Sequence, residues 1–219
     1  DEELNSLKVA ILPLPGGEFH HYGTSREMIS STLAVQNCVM DQRAIMHYKV
    51  KAHPAMFVQN AELQISLTAE NAETWIENSF IAKGWQLHSQ NIITGVPRND
   101  WKLNVPQGVC IDVVPMGDTE FVARPYGFND KFKGSLKEAS TLYLGRPVTE
   151  WLAERGLTAE DIRGCEDLQS AAIFPVTDSI ADLGTMLQWM TDGGQEEAGR
   201  EIWRKARKVS ADEISACAN

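Results

Sequence analysis

The sequence predicts an α+β protein in which a parallel β-helix of hexapeptide-like repeats is followed by a smaller α-helical region. Three observations predict this class. Apolar residues recur every six positions in the middle of the chain, strand-like segments interrupted by Gly, Pro and Asn precede Gly134, and helix-start and helix-stop residues dominate after it. Each coil of a parallel β-helix stacks one inward apolar residue per face, and a six-residue period is typical of left-handed coils.

The N-terminal segment predicts two short strands and one helix. Residues 7–12 and 19–22 have strand composition, and the first run ends at Pro13. Thr24 and Glu27 have the spacing of a capping box, in which each residue satisfies a backbone N–H group of the first helical turn. We therefore expect a helix that begins at Ser25 and ends near Leu33.

The six-residue repeat is the most informative pattern in the chain. Small or polar residues stand two places before several of its positions and suit the corners between faces, whereas Glu73 and Trp85 fit that position badly. An ordinary sandwich of short strands is the alternative. The repeat positions are Phe57, Leu63, Ala69, Trp75, Ile81, Leu87 and Ile93, and the small corner residues are Ala61, Ser79 and Asn91.

After the repeat, the pattern changes from strands to helices. The segment 103–130 predicts further coils or closing strands, because apolar and polar residues alternate there. Helices are predicted at 148–155, from Thr158, at 179–190 with Asp178 as the cap, and at 196–208. Ser210 and Glu213 form a capping box for a further helix, and the basic residues of 200–208 indicate a solvated connector.

Composition and charge exclude several functional classes. The 219 residues carry 20 Lys and Arg against 30 Asp and Glu, for a net charge of −10, so nucleic-acid binding is not expected. No apolar run is long enough for a membrane helix. Four cysteines without a C-x-x-C pair indicate reduced thiols of a cytoplasmic protein. His47 and His53 have no partners at metal-ligand spacing, and no metal ligand is predicted.

Several runs of the sequence resemble one enzyme family. The run 17–27, GEFHHYGTSRE, resembles the L-fucose-1-phosphate guanylyltransferase (GDP-fucose pyrophosphorylase) family, in the bacterial form that is joined to an L-fucokinase. The runs 75–95, 144–152 and 210–214 are similar to the same family. The resemblance covers essentially the whole chain.

The resemblance implies a division of the chain into three parts. Such an enzyme has an N-terminal nucleotide-binding domain with a Gly-rich loop, and this sequence has no such loop. We therefore interpret residues 1–56 as a strand–helix segment from the end of the nucleotidyltransferase core. Residues 57–134 form the β-helix, and residues 135–219 form an α-helical connector toward the kinase domain.

The activity that the resemblance implies is the synthesis of GDP-L-fucose. An oxygen of L-fucose-1-phosphate attacks the α-phosphorus of GTP, and pyrophosphate leaves. Mg²⁺ is expected for the parent enzyme, but no Mg²⁺ site is evident in this chain, and its catalytic residues are unknown. The expected partners are both substrates, the N-terminal nucleotidyltransferase domain and the C-terminal sugar kinase domain of the same polypeptide. Homo-oligomerisation is left open.

The candidate substrate-binding residues cluster at the predicted helix start. Backbone N–H groups there can hold a sugar phosphate, hydroxyl groups can donate to it, and one arginine adds positive charge. Two consecutive histidines point in opposite directions on a strand, so at most one faces the ligand. A capped helix without a binding role is the alternative. The candidates are His20, His21, Tyr22, Thr24, Ser25, Arg26 and, within the repeat, Lys83.

Two other functions remain open at this point. The β-helix can be a non-catalytic structural or dimerisation module of the same bifunctional enzyme. It can also belong to a hexapeptide-repeat acyltransferase, a class that uses a catalytic histidine, and His88 is the histidine inside the repeat.

Overall fold

A parallel β-helix forms the first half of the fold and confirms the predicted class. The computed structural model describes residues 6–38, 55–163, 166–192 and 197–217. The β-helix strands are β1 (Met56–Gln59), β2 (Glu62–Leu63), β3 (Thr74–Glu77), β4 (Phe80–Ile81), β5 (Gln86–Leu87), β6 (Ile92–Thr94), β7 (Asn104–Val105) and β8 (Val109–Met116).

The coils stack through three faces, each made of parallel strands. The first face contains β1, β3, β6 and β8, the second contains β2 and β4, and the third contains β5 and β7. Leu63 stacks on Ile81 and Leu87 stacks on Val105, so a regular coil is eighteen residues long. Three hexapeptides therefore make one coil, which is the physical origin of the six-residue period.

Two corners of each coil require a left-handed backbone conformation. A positive φ is costly for most side chains, and Asn and Gly tolerate it best. Side chains of the corners also bond across coils: Asn60 Nδ2 donates to Asn78 Oδ1 at 2.6 Å, and Gln90 Nε2 donates to Glu73 Oε2 at 2.8 Å. The residues with positive φ are Asn60, Asn78 and Gly95 at one corner and Glu73, Gln90 and Gly108 at the other.

The six-residue rule is wrong about which way Phe57 and Trp75 point. Both pack in a separate apolar cluster on the outer side of the first face, whereas Ile76 and Ile93 line the interior. Trp75 pairs with Ile92, only seventeen residues later, so one position is lost between these coils. Because both sides of β3 are buried, hydrophobicity alone does not distinguish its two sides.

An antiparallel hairpin closes the last coil, as the alternating pattern predicted. β9 (Glu120–Gly127) pairs with β8, and β12 (Phe174–Thr177) pairs with both β9 and β13 (Arg207–Val209). The first face thus becomes a seven-stranded sheet in the order β1-β3-β6-β8-β9-β12-β13. The short strands β10 (Leu142–Tyr143) and β11 (Arg146–Pro147) form a separate pair.

The helices begin largely where their caps predict. Ser179 rather than Asp178 caps the third helix by accepting from the backbone N–H of Asp182. The helix predicted at 196–208 ends at Lys205 because the next residues form β13. The helices are α1 (Ser25–Asn37), α2 (Val148–Glu154), α3 (Ile180–Thr191), α4 (Glu197–Lys205) and α5 (Ala211–Cys217), with 3₁₀ turns at Ala69–Asn71, Ala159–Ile162 and Leu168–Ser170.

The two N-terminal strand predictions are wrong. Residues 7–12 and 19–22 have no regular secondary structure, and their large apolar side chains are exposed, as the 93% exposure of Ile11 illustrates. Strand composition is not sufficient to form a strand, because the backbone also needs a partner to complete a ladder. Within the described ranges, no strand pairs with this segment.

The C-terminal region shares its hydrophobic core with the β-helix. Trp101 donates from Nε1 to the carbonyl of Ile180 at 2.8 Å and stacks on Trp85, and both tryptophans are buried. Residues 135–219 are also not purely helical, since they contain β10 to β13. The part of this region that the structure describes therefore packs as an extension of the sheet.

A buried arginine connects α2 to α3. Arg155 is 2% exposed, lies over the ring of Trp151 at 4.4 Å, and donates from Nη2 to the carbonyl of Met190 at 2.7 Å. This carbonyl is at the C-terminal end of α3, where backbone acceptors lack helical partners and the helix dipole favours a cation. Burial lowers the pKa of Arg155 to about 10, which leaves the guanidinium charged at neutral pH.

Replacing Gly95 with Ala should destabilise the β-helix far more than replacing Gly117 with Ala. Both glycines have a positive φ, +69° and +70° respectively, but a Cβ atom at Gly95 would lie 2.3 Å from the carbonyl oxygen of Val113. A Cβ atom at Gly117 would meet nothing within 4 Å. We expect Gly117→Ala to lower the free energy of unfolding by about 1 kcal/mol and Gly95→Ala to lower it by roughly 3 kcal/mol or more.

Urea-induced unfolding followed by tryptophan fluorescence measures both values. Equal losses in the two variants would contradict the close packing of the third coil against β8.

Candidate functional site

The helix α1 packs on the outer side of the first face and carries most of the candidate residues at its N-terminal end. Ile29 is buried against the apolar cluster that includes Phe57, Trp75 and Ile92. Thr24 is the N-cap, and its Oγ1 accepts from the backbone N–H of Glu27 at 3.4 Å. The helix start predicted from the sequence is confirmed, although the helix extends to Asn37 instead of ending near Leu33.

The residues before α1 run back along the helix and are attached to it by side-chain contacts. His21 Nδ1 is 3.0 Å from Glu27 Oε2, and this carboxylate also accepts from the backbone N–H of Gly23 at 3.1 Å. Thr32 Oγ1 donates to Tyr22 Oη at 3.4 Å. His20 contacts Glu18 and Cys38 instead, so the two consecutive histidines have different partners.

Four side chains of the sheet form a polar network beside the start of α1. Asp112 accepts from Thr94 Oγ1 at 2.6 Å and pairs with Arg124 at 3.1 Å. The guanidinium of Arg124 lies 5.4 Å from the ring centre of Tyr126. The Tyr126 side chain lies close to Asp112 and to Ser25, the first residue of α1, because both side chains affect or are affected by its pKa. We call Thr94, Asp112, Arg124 and Tyr126 the sheet network.

Burial determines the electrostatics of the sheet network. Desolvation raises the pKa of Asp112 despite the opposing effects of Arg124 and Thr94, and it raises the pKa of Tyr126 well above its usual range. Arg124 keeps 34% of its side chain exposed, against 15% for Asp112. The network therefore presents a partly solvated cation next to a carboxyl group whose proton is held more tightly than usual.

The arrangement suits a ligand with both an anionic group and hydroxyl groups. The backbone N–H groups of Ser25 and Arg26 lie at the helix start, where they and the helix dipole favour an anion. Arg26 is exposed beside them. Thr94 and Asp112 can exchange hydrogen bonds with sugar hydroxyl groups.

The structure does not bring Lys83 to this site. Lys83 is exposed in the turn between β4 and β5, and its backbone N–H donates to Gln64 Oε1 at 3.3 Å. This turn joins the second and third faces, whereas α1 covers the first face. A ligand held at the start of α1 is therefore separated from Lys83 by the β-helix.

The sheet network was missed by the sequence interpretation, although the sequence contains a signal for it. Asp112 and Arg124 are charged residues inside apolar strands, on either side of a turn at Gly117. A hairpin with that turn places them opposite each other, and β8 and β9 do pair Asp112 with Arg124. No sequence pattern indicated that α1 lies over this pair, because the position of the helix depends on tertiary packing.

The one cluster of three metal-ligand side chains among the described residues does not fit Mg²⁺. In the ranges that the structure covers, one group of metal-ligand side chains lies close enough for a single ion, namely Glu18, His20 and Cys38. Mg²⁺ requires a set of oxygen ligands in octahedral geometry, which a thiol and an imidazole do not provide.

None of the helices in the described ranges combines the length and apolar character needed to cross a bilayer.

The fold defines a β-solenoid protein of the α+β class, and comparison with known proteins identifies its family. The family model of the fucose pyrophosphorylase domain matches residues 2–179 of this chain. Over 220 aligned residues, the chain is 59% identical to a Bacteroides fragilis protein named L-fucokinase/L-fucose-1-P guanylyltransferase. The alignment covers 100% of this chain and 23% of that relative. No solved structure matches the chain.

This chain therefore belongs to the fucose pyrophosphorylase domain family. The family is the one that the sequence runs resembled, so the resemblance is confirmed. The chain spans less than a quarter of the length of the Bacteroides fragilis relative.

The pH dependence of stability should differ between the unaltered chain and an Asp112→Asn variant. A raised carboxyl pKa in the folded state stabilises the fold most at low pH, and this contribution is lost as the pH rises through the raised value. We therefore expect the stability of the unaltered chain, relative to Asp112→Asn, to fall over the pH range above about 4, the ordinary pKa of an Asp carboxyl group.

Chemical denaturation of both proteins across this pH range measures the difference. A relative stability that rises with pH would show that the ion pair with Arg124 outweighs the desolvation of Asp112.

Proposed function

We propose that this chain contributes sugar-phosphate binding and a scaffold to an enzyme that makes GDP-L-fucose from GTP and L-fucose-1-phosphate. Membership of the fucose pyrophosphorylase domain family supports the reaction class, as does the name of the Bacteroides fragilis relative. This portion is proposed to bind one substrate, and the whole reaction is a property of the longer polypeptide.

The observation that carries the proposal is the contact between the start of α1 and the sheet network. The proximity of Ser25 to Tyr126 brings the anion-favouring helix start next to Arg124 and Asp112. The phosphate of L-fucose-1-phosphate would lie against Ser25 and Arg26, and the sugar hydroxyls would face Thr94 and Asp112. His21 and Tyr22 bind the flank of α1 and hold the segment before the helix in place.

The chemical contribution of these residues is positioning. In the reaction, an oxygen of the sugar phosphate attacks the α-phosphorus of GTP, and the bond to pyrophosphate breaks. Fixing the nucleophilic phosphate lowers the entropic cost of bringing the two substrates together, and cationic groups offset the repulsion between their phosphates. Arg26 and Arg124 are the cations that this chain would supply.

The GTP site is assigned to the remainder of the polypeptide. The sequence has no Gly-rich loop that could cradle a nucleotide. We propose that a nucleotidyltransferase domain and a sugar kinase domain of the same polypeptide are the partners of this chain, as the name of the longer relative suggests.

A structural or dimerisation role is the second candidate function. The β-helix and the C-terminal helices share one core, which makes this portion a rigid block suited to separating two catalytic domains. This role predicts that L-fucose-1-phosphate does not raise the melting temperature of the chain.

Calorimetric titration with β-L-fucose-1-phosphate tests the proposal. We expect the unaltered chain to bind and Arg26→Ala to bind roughly tenfold more weakly, since one charge-assisted contact to phosphate is lost. Arg26 is exposed, so its replacement should leave the melting temperature unchanged. Arg98→Ala is the matched control, because the Arg98 side chain is 73% exposed and pairs with Glu62 on the second face.

Lys83→Ala belongs in the same titration and should bind like the unaltered chain, because Lys83 lies at a different corner of the β-helix. Binding that is absent in every protein, or equally strong in Arg26→Ala, would favour the structural role. Binding lost in Lys83→Ala alone would move the site to the second and third faces.

A further inference from the structure

Three side chains with different metal-binding atoms meet at the far end of α1 from the proposed sugar-phosphate site. Cys38 is the C-cap of α1, and Glu18 and His20 lie in the segment that runs back along the helix. Cys38 Sγ is 3.5 Å from Glu18 Oε2 and 3.9 Å from His20 Nε2, and the last two atoms are 3.4 Å apart. One thiol, one imidazole and one carboxylate therefore face a common point.

These three distances match the separations between the ligands of a tetrahedral zinc ion. With Zn–S near 2.3 Å and Zn–N and Zn–O near 2.0 Å, tetrahedral angles place the sulfur about 3.5 Å from each of the other two ligand atoms. The nitrogen and oxygen are then about 3.3 Å apart. The observed separations lie within about 0.4 Å of these values, so the side chains can bind an ion without a change of the backbone.

The donor types select the class of metal. A thiolate and an imidazole favour Zn²⁺ and chemically similar divalent ions over Mg²⁺ and Ca²⁺, which prefer oxygen. The charges also balance, because one thiolate and one carboxylate neutralise a divalent cation while His20 stays neutral. Three ligands from the described part of the chain leave one tetrahedral position for water or a further ligand, and Glu18 and His20 are accessible to solvent.

We propose that Glu18, His20 and Cys38 form a binding site for one Zn²⁺ ion. On binding, a Zn–S bond replaces the S–H bond of Cys38, and the thiol proton passes to solvent. The ion closes the segment 18–38 into a loop, which contains the residues His20 to Arg26. Metal binding therefore fixes this segment along α1. The site does not depend on the proposed sugar-phosphate function.

The sequence did not predict this site, because its ligands are separated by eighteen positions between His20 and Cys38. Short zinc-binding motifs hold their ligands a few residues apart. Here the segment before α1 runs back along the helix and brings His20 close to Cys38, although the two residues are distant in the sequence.

Cobalt titration of the untagged, reduced and chelator-treated chain tests the proposal. Co²⁺ occupies tetrahedral zinc sites and, when bound to a thiolate, gives a near-ultraviolet charge-transfer band together with visible d–d bands. We expect a stoichiometry of one ion per chain, displacement by Zn²⁺ and release of a proton that calorimetry in two buffers detects. Cys38→Ser should abolish the charge-transfer band, and His20→Ala should weaken binding by roughly 100-fold.

Matched controls separate this site from other thiols and histidines. Cys217 and His88 are exposed outside the cluster, so Cys217→Ser and His88→Ala should keep both the band and the affinity. Circular dichroism establishes that each variant is folded. A band that persists in Cys38→Ser, or the absence of a band in the folded, unaltered chain at equimolar Co²⁺, would overturn the proposal.

Discussion

Burial of the first face of the β-helix on both sides is the constraint on which the rest of the structure depends. Inner side chains such as Ile76 and Ile93 stack in the interior of the coils, while the outer side chains Trp75 and Ile92 lie under α1. A parallel sheet whose strands are apolar on both sides is stable only when another element covers its outer side. The helix α1 therefore has one place to pack.

The candidate site follows from that packing. Because α1 lies across the outer side of the sheet, its first turn reaches the row in which Thr94, Asp112 and Arg124 stand side by side on β6, β8 and β9. Burial in this position raises the pKa of Asp112. The same helix guides the segment before it, so that His20 reaches Cys38 near the other helix end. The packing of α1 on the outer side of the first face therefore forms both proposed sites.

The extension of the sheet explains why the C-terminal region packs as part of the β-helix. A stack of coils ends in a strand with unpaired backbone groups, which is an aggregation hazard. Here β9 and β12 continue the sheet in antiparallel fashion, and α3 covers the end of the core through the Trp101–Ile180 contact. Arg155 then fixes α2 to the C-terminal end of α3. Trp85 and Trp101 are buried in this packing.

Patterns among residues close together in the sequence were sufficient to predict much of the fold. The six-residue period predicted the coils, Thr24 and Ser210 predicted helix starts, and the alternating pattern before Gly134 predicted the closing strands. Each of these depends on residues close together in the sequence. The directions of Phe57 and Trp75 were wrong because a single missing position between coils exchanges the inner and outer sides of a strand.

The sequence by itself determined the family and the stacked-coil architecture, because short-range spacing and motif residues carry that information. Tertiary structure alone decided that α1 covers the first face, that Lys83 lies at another corner, and that Glu18, His20 and Cys38 converge. The physical reason is that these relations join residues distant in the chain. They depend on which buried surface needs a partner, and not on the propensities of neighbouring residues.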